Sequence, residues 1–257
     1  MSFKFIVLGC GSSMGVPRAD GYWGKCNPNE KKNYRTRCSA LISTKNTTTL
    51  IDTSPDLRAQ LLKNKIKNVD RVLYSHLHAD QTHGINDLRT FYIKNKKKID
   101  IFADKLTSHY LKKNFSYCFK SNNDYPAILN LKPIKRNLNF LYYKENLKVK
   151  CISVKHGLIN CQSFIINNLL AYASDVNMIY KKDLKYFKNL KYFVVDCLRI
   201  NNHPSHFNLE EVLKLITLLK PKKTILTNLH SDLDYKYLLK ILPKNVIPAY
   251  DGLSLKF

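Results

Sequence analysis

Seven of the eight histidines fall in four short segments, each directly downstream of an apolar, strand-like run. His76, His78 and His83 follow Val72-Leu73-Tyr74 together with Asp80, and His156 follows Lys150 to Val154. His203 and His206 come after Tyr192 to Val195, and His230 after Thr224 to Thr227. Asp175 stands alone after Leu169 to Ala173. Side chains at the ends of neighbouring strands can converge in space, and layered α/β folds place their sites there. One such histidine would be an ordinary polar residue with a local partner; four clusters in step with four strands point to metal binding. In an extended or turning segment His76 and His78 point to the same side, so two imidazoles can share one ion, while Asp80 reaches past them toward a second. Imidazole with carboxylate suits Zn²⁺, Fe or Mn²⁺ rather than Ca²⁺. Two ions about 3.5–4 Å apart need a bridging carboxylate, and Asp175 is the candidate.

The elements that must hold these groups can be read along the chain. Strands are expected at Phe3 to Leu8, at about 38–43 and 48–52, and at the runs that precede each histidine segment. Gly9, Gly11 and Gly15 after the first strand invite a dinucleotide-loop reading, but that loop must run into a helix. Here Val16-Pro17-Arg18 and a turn-rich stretch follow instead. Ser54-Pro55-Asp56 starts a helix, with a capping Ser and Pro at the first position. Residues 99–173 alternate strand signals with Lys/Asn-rich turns, and a helix is expected at about 180–189. Asn208-Leu-Glu-Glu211 is a capping-box-like start for a helix through Leu219, with Val212, Leu213, Ile216 and Leu219 on one face. No linker, low-complexity block or repeat interrupts the pattern, so residues 1–257 read as one domain.

Composition agrees with a folded domain: 44% hydrophobic and 24% charged residues exclude a disordered, collagen-like or coiled-coil chain. The charge is unusual. Lys and Arg number 43 against 19 Asp and Glu, a formal net charge of +24. Such a balance suits a polyanionic partner or an anionic substrate. However, 35 of the 43 are Lys, spread along the chain rather than in one block, as compositional drift toward Lys and Asn codons would leave them. The seven Cys are scattered, form no C-x-x-C pair and cannot all pair, so a reducing, cytoplasmic location is expected. No signal peptide and no run long enough for a membrane span is seen.

Ser75-His-Leu-His-Ala-Asp80 resembles the H-x-H-x-D-H signature of the metallo-β-lactamase superfamily, and His156-Gly157, Ser174-Asp175 and Asn228-Leu229-His230 match its further ligand motifs in order. Leu8-Gly-Cys-Gly-Ser-Ser-Met-Gly-Val-Pro17 and Asp196-Cys-Leu…Ser205-His206-Phe-Asn-Leu-Glu are similar to the PhnP-like phosphodiesterase branch, and more distantly to tRNA 3′-processing endonucleases of the RNase Z type. The resemblance covers nearly the whole chain. It implies an α/β fold, a four-layer αββα sandwich with the site at one edge of the two sheets. It also implies two divalent ions, Zn or Mn: the first on His76, His78 and His156, the second on Asp80 and His230, with Asp175 bridging. A bridging water would be the nucleophile, oriented or deprotonated by Asp80. His206 matches the position of a general acid for the leaving oxygen, two residues before a helix start that favours phosphate.

Two departures from the pattern matter. Gln81 stands where the signature has a His that binds the second ion; an amide oxygen is a harder, weaker ligand, so the second site is expected to be the weaker, unless His83 substitutes. The Cys cluster that holds a structural zinc in many relatives is reduced to Cys26 and Cys38, so no structural zinc is expected. Among the few Arg, which suit phosphate oxygens bidentately, Arg199 lies between Asp196 and His206 and is the first choice for a substrate contact, ahead of Arg18, Arg35, Arg37 and Arg89.

The expected function is a dinuclear metal-dependent hydrolase, a phosphodiesterase for a small cyclic or nucleotide-like diester. An RNA-processing nuclease is the first rival, favoured by the charge but without a recognisable inserted arm for gripping tRNA. A thioester or lactone hydrolase of the same fold, and a non-catalytic or single-metal binding module, are the others. No membrane partner is expected, and the sequence leaves a homodimer open.

Overall fold

A computed structural model describes residues 3–122, 125–142 and 144–257. They form two seven-stranded mixed sheets. The first contains β1 (Lys4–Gly9), β2 (Ser39–Ser43), β3 (Thr48–Ile51), β4 (Arg71–Leu73), β5 (Ile99–Ala103), β6 (Leu129–Pro133) and β14 (Ser254–Lys256), in the order β14-β1-β2-β3-β4-β5-β6. The second contains β7 (Asn137–Tyr142), β8 (Glu145–His156), β9 (Ile159–Ile166), β10 (Leu170–Ala173), β11 (Tyr192–Asp196), β12 (Lys223–Thr227) and β13 (Val246–Pro248), in the order β13-β12-β11-β10-β9-β8-β7. Each sheet is antiparallel on one side and parallel on the other: β3 to β6 run parallel, as do β10 to β13.

The side-chain alternation of the strands sets the layers. In β1, Phe5 and Val7 face the second sheet and meet Phe164, Tyr172, Val194 and Ile225, forming the central core. Ile6 and Leu8, one residue out of phase, pack instead with Leu57 and Leu61 of α1 (Leu57–Lys63), Phe91 of α3 (Arg89–Asn95) and Leu111 of α4 (Lys105–Asn114). On the far side Phe193 and Val195 of β11 pack with Val212, Ile216 and Leu219 of α5 (Leu209–Leu219) and Leu238 of α6 (Tyr235–Ile241). Three cores between four layers make the expected αββα sandwich. Strands buried on both faces, such as β11 and β12, read as continuous apolar runs, which is why the runs before His203, His206 and His230 stand out in the sequence.

Local details bear out most of the expected elements. The Asn208–Glu211 capping box is formed in both directions, with Asn208 Oδ1 accepting from Glu211 N and Glu211 Oε2 from Asn208 N, both at 2.9 Å. The start of α1 is later than expected: the helix begins at Leu57 with Asp56 at the N-cap, so Pro55 is in the preceding turn, where Ser54 Oγ accepts from Asp56 N at 3.1 Å. The glycine-rich segment after β1 does not run into a helix; a Cβ on Gly9 would lie 2.2 Å from the Arg37 carbonyl oxygen, so the glycine is there for close backbone approach.

Two expectations are corrected. The helix at about 180–189 is only a 3₁₀ turn, Lys181–Tyr186, whose Leu184 reaches the same core as Phe187 three residues on, a spacing that a 3₁₀ turn satisfies. Residues 105–114, read as part of a strand-and-turn region, form α4, capped by Asp104 accepting from Thr107 N at 2.7 Å. Among the described residues no helix is long and apolar enough to cross a membrane.

Candidate active site

The chain leaving β4 is pinned to both sheets before it reaches the first imidazole. Ser75 N donates to Asp52 Oδ1 at 2.7 Å, and Ser75 O accepts from Gln162 N of β9 at 2.9 Å. His76, buried, turns its Nδ1 to Ser75 Oγ at 3.0 Å and its Nε2 to His78 Nδ1 at 2.9 Å. His156 ends β8 and donates through Nδ1 to the Ser205 carbonyl at 2.7 Å, which leaves its Nε2 facing His78 Nδ1 at 3.3 Å. Gly157 makes this approach possible: its φ of +59° and the 2.8 Å distance from its would-be Cβ to Ser205 Cβ leave no room for a side chain.

Three ring nitrogens therefore converge within 4.8 Å of one another. A tetrahedral ion with Zn–N bonds of about 2.0–2.1 Å spaces its ligand nitrogens about 3.3 Å apart, so the set fits a divalent cation. Its protonation state fits too. Burial pushes His76 down to about 3, and burial followed by the neighbouring imidazoles lowers His78; burial likewise lowers His156. Neutral imidazole is the form that ligates.

The carboxylates lie beside this set. The short helix α2 (Ala79–Thr82) begins directly after His78 and carries Asp80 and Gln81 in its only turn. Burial, then the nearby Asp175 carboxylate, raises Asp80 to about 6. Asp175 follows β10 and is buried; burial works to raise its carboxyl, but His76, His156 and His206 outweigh it and hold it low. Gln81 is fully buried, and its Nε2 donates to Asp80 Oδ2 at 3.2 Å and Asp175 Oδ2 at 3.3 Å. Asn228, at φ +60° after β12, donates through Nδ2 to Ser174 O at 3.0 Å and to Asp175 Oδ1 at 3.4 Å.

His206 has a partner that sequence reasoning missed. Asp196, the last residue of β11 and wholly buried, accepts from His206 Nδ1 at 2.6 Å and from Val176 N at 2.9 Å. Burial alone would lower His206, but the Asp196 carboxylate, with Asp175 and Asp80 behind it, raises it to about 9. Burial raises Asp196 as well, to about 7, which stays below His206, so the shared proton favours the imidazole. With Nδ1 engaged, Nε2 is the nitrogen left to serve the cleft. His156, Asp175 and His206 form a second convergent group of donor atoms.

The structure thus brings together His76, His78, His156, Asp175 and His206, with Asp80 linked to Asp175 through Gln81. His230 lines the same cleft with its Nδ1 on Asp232 at 3.0 Å, which leaves Nε2 for the cleft, but among the described residues it joins no three-donor group. His83 does not take Gln81's place, because its Nε2 meets Tyr110 Oη at 2.9 Å and its ring stacks on that tyrosine at the surface. Arg199 lines the cleft while its guanidinium donates to the Asn201 and Asn202 carbonyls. The other arginines are held elsewhere: Arg35 is buried against the His230 and Leu233 carbonyls, Arg37 pairs with Asp56, Arg18 with Asp20, and Arg89 lies over Tyr125. The cleft itself has a volume of about 320 Å³ and is completed by Ser12, Ser13 and Met14 from the loop after β1 and by His203.

Comparison with known proteins agrees with this fold. Residues 47–228 match the family described as beta-lactamase superfamily domain. A crystal structure of a diphosphatase from the PhnP family superposes with a TM-score of 0.90 at 28% identity, covering 100% of this chain and 98% of that one. Zn²⁺-bound PqqB from Methylobacterium extorquens (TM-score 0.77, 15% identity, 98% and 99% coverage) and the short form of human tRNase Z (0.67, 15%, 98% and 98%) share the fold. In sequence the chain is 30% identical over 255 residues to an octanoyltransferase from Porphyromonas gingivalis (strain ATCC BAA-308 / W83), covering 98% of this chain but 51% of that protein, so it spans about half the length of that relative. The chain belongs to the beta-lactamase superfamily and carries its metallo-β-lactamase fold.

Proposed function

We propose that the chain is a metal-dependent phosphodiesterase acting on a small cyclic or nucleotide-like phosphodiester. The observation that carries this reading is the convergence of two kinds of group on one cleft: a set of three imidazoles suited to a cation, and a further imidazole, His206, locked by Asp196. His76, His78 and His156 would hold the ion, Zn²⁺ or Mn²⁺, with Ser75 Oγ and Ser205 O fixing two of the rings from behind. When bound, such an ion polarises a phosphoryl oxygen and acidifies water.

The chain's own residues supply the rest. His206 donates its proton to the departing oxygen, and its orientation is fixed because Asp196 holds Nδ1 while Asp196 is itself held by Val176 N. Asp80, raised to about 6, orients the attacking water and accepts its proton, as suits a base working near neutral pH. A cleft of about 320 Å³ is at the small end of the range for small-molecule sites, which favours a compact diester over a polymer. The 28% identity to a PhnP-family diphosphatase across the whole chain supports phosphoester chemistry.

The +24 charge favours a second reading, a nuclease acting on a tRNA precursor. One panel separates the two: protein of measured metal content is offered aryl diesters, cyclic nucleotides, cyclic ribose phosphates, a diphosphate diester, an acyl thioester and a tRNA precursor. Turnover confined to small diesters is expected. Cleavage of the precursor at one position would replace this reading with the nuclease, and turnover of the thioester alone would replace it with an acyl hydrolase.

A further inference from the structure

We infer that this centre holds a single cation per chain, and that the buried amides of Gln81 and Asn228 occupy the face of Asp175 where a second would bind. The inference rests on reading the three imidazoles as a metal site, and concerns what the remaining donors do.

Among the described residues there are only two convergent groups of three donors, and both include His156; neither contains Asp80 or His230. The space between Asp80 and Asp175 is filled by the Gln81 amide. Its nitrogen carries two hydrogens, one for each carboxylate, at 3.2 and 3.3 Å. The side chain is fully buried, so solvent does not compete for it. Its orientation is fixed by what a flip would do: Oε1 would face two carboxylates, and Nε2 would lose both acceptors. Where Oε1 now sits it has no partner, so the amide is held by its N–H groups alone.

Asn228 is fixed by a separate contact. Ser174 O, a backbone carbonyl, can only accept, so the amide edge within 3.0 Å of it must be Nδ2. The same Nδ2 reaches Asp175 Oδ1 at 3.4 Å. Each oxygen of Asp175 therefore faces an amide N–H, Oδ2 from Gln81 and Oδ1 from Asn228. An N–H cannot coordinate a cation, and a second ion could use Asp175 only by displacing these buried amides; Gln81 Nε2 bonds only the two carboxylates, whereas Asn228 Nδ2 would keep Ser174 O and lies 3.2 Å from His206 Nδ1. His230, the remaining imidazole lining the cleft, lies outside both donor groups, with its Nδ1 on Asp232 and its backbone carbonyl held by Arg35 at 3.2 Å. The two amides stand in for a cation by placing hydrogen-bond donors against facing carboxylates.

The test is a metal count with positions. Wild-type protein is saturated with Zn²⁺ or with Mn²⁺, desalted and analysed for metal, and the ion is located by anomalous diffraction. One ion per chain at the three imidazoles is expected with either metal, lost in His78→Ala and kept in Asp80→Asn. Two ions per chain, the second between Asp80 and Asp175, would overturn the inference and leave the three-imidazole site standing. No ion at all would overturn both. An ion kept in His78→Ala and lost in Asp80→Asn would place it on the carboxylates and also contradict the inference. The Gln81→His, Asn228→His double variant should rise to two ions per chain; a folded double variant that still holds one would show that the amides are not what excludes the second.

Discussion

Asp196 Oδ2 accepts from His206 Nδ1 at 2.6 Å, across the loop of ten residues that leads from the end of β11 to His206. The loop folds back on itself through Leu198 N to Phe207 O at 3.0 Å, and Phe207 N reaches Val176 O at 2.9 Å, next to Asp175. This brings a strand-end carboxylate and a loop imidazole together at the cleft, and the carboxylate favours the protonated imidazole.

That pairing makes leaving-group dependence the signature of His206. His206→Gln and Asp196→Asn should each slow hydrolysis of alkyl diesters by about 10²–10⁴-fold while slowing aryl diesters far less, since general-acid help matters when the departing oxygen is basic. The check is the slope of log rate against leaving-group pKa. Equal losses on both classes would assign His206 to substrate positioning instead.

Asp56 is predicted to couple stability to acid pH. Its carboxylate receives Arg37 N at 2.9 Å, Nε at 2.8 Å and Nη2 at 2.6 Å. Burial works to raise its carboxyl, but these bonds and the guanidinium charge outweigh it and lower it from the ordinary value. A carboxyl lower in the folded than in the unfolded chain contributes stability above the unfolded value, about 3.9, and loses it as pH falls below. Asp56→Asn should cost about 1–2 kcal/mol near pH 7, discounted for partial exposure, with the difference from wild type shrinking below about pH 4. Denaturant titrations across pH test this; a difference independent of pH would rule out the charge as its source.

The capping box at Asn208 joins the site loop to α5. Asn208→Ala should destabilise by about 1 kcal/mol, read as a fall in urea midpoint at constant slope. An unchanged midpoint would mean that the cap is redundant in this context.

The basic charge is predicted to be a solvated surface. RNA should bind weakly, lose nearly all affinity between low and physiological salt, and show no preference among sequences, as counterion release dictates for any basic surface. Excess RNA should inhibit small-diester turnover little. Salt-resistant, selective binding would show that the charge recognises nucleic acid.

The sequence displays the metal-side residues well for a physical reason. Strands buried on both faces appear as unbroken apolar runs, and a polar chelator just after such a run marks a strand end at the site; His76 and Asp175 show this, while His156 ends an alternating strand, β8. The spacing is looser at β12, which ends at Thr227, with His230 three residues on. Asn228 adopts a left-handed φ of +60°, so its amide faces Asp175 while His230, two residues on, turns to Asp232. The Asp196–His206 pair is hidden because loop fold-back, rather than periodicity, brings it together. Helix α4 is hidden because only Thr107 and Leu111 of its ten residues are buried, too thin a stripe to register as an apolar face.

The central claim is that the cleft at the strand ends hydrolyses a small phosphodiester with a cation held by His76, His78 and His156. The most direct measurement is the rate of cyclic-nucleotide and aryl-diester hydrolysis by wild-type protein stripped with chelator and then reloaded, beside His76→Ala, His78→Ala and His156→Ala treated identically and checked for fold by circular dichroism. The account predicts activity lost on stripping, restored on reloading, and absent at every step in the three folded variants. Wild-type rates in the stripped variants, or no diester hydrolysis by the reloaded wild-type protein, would contradict it.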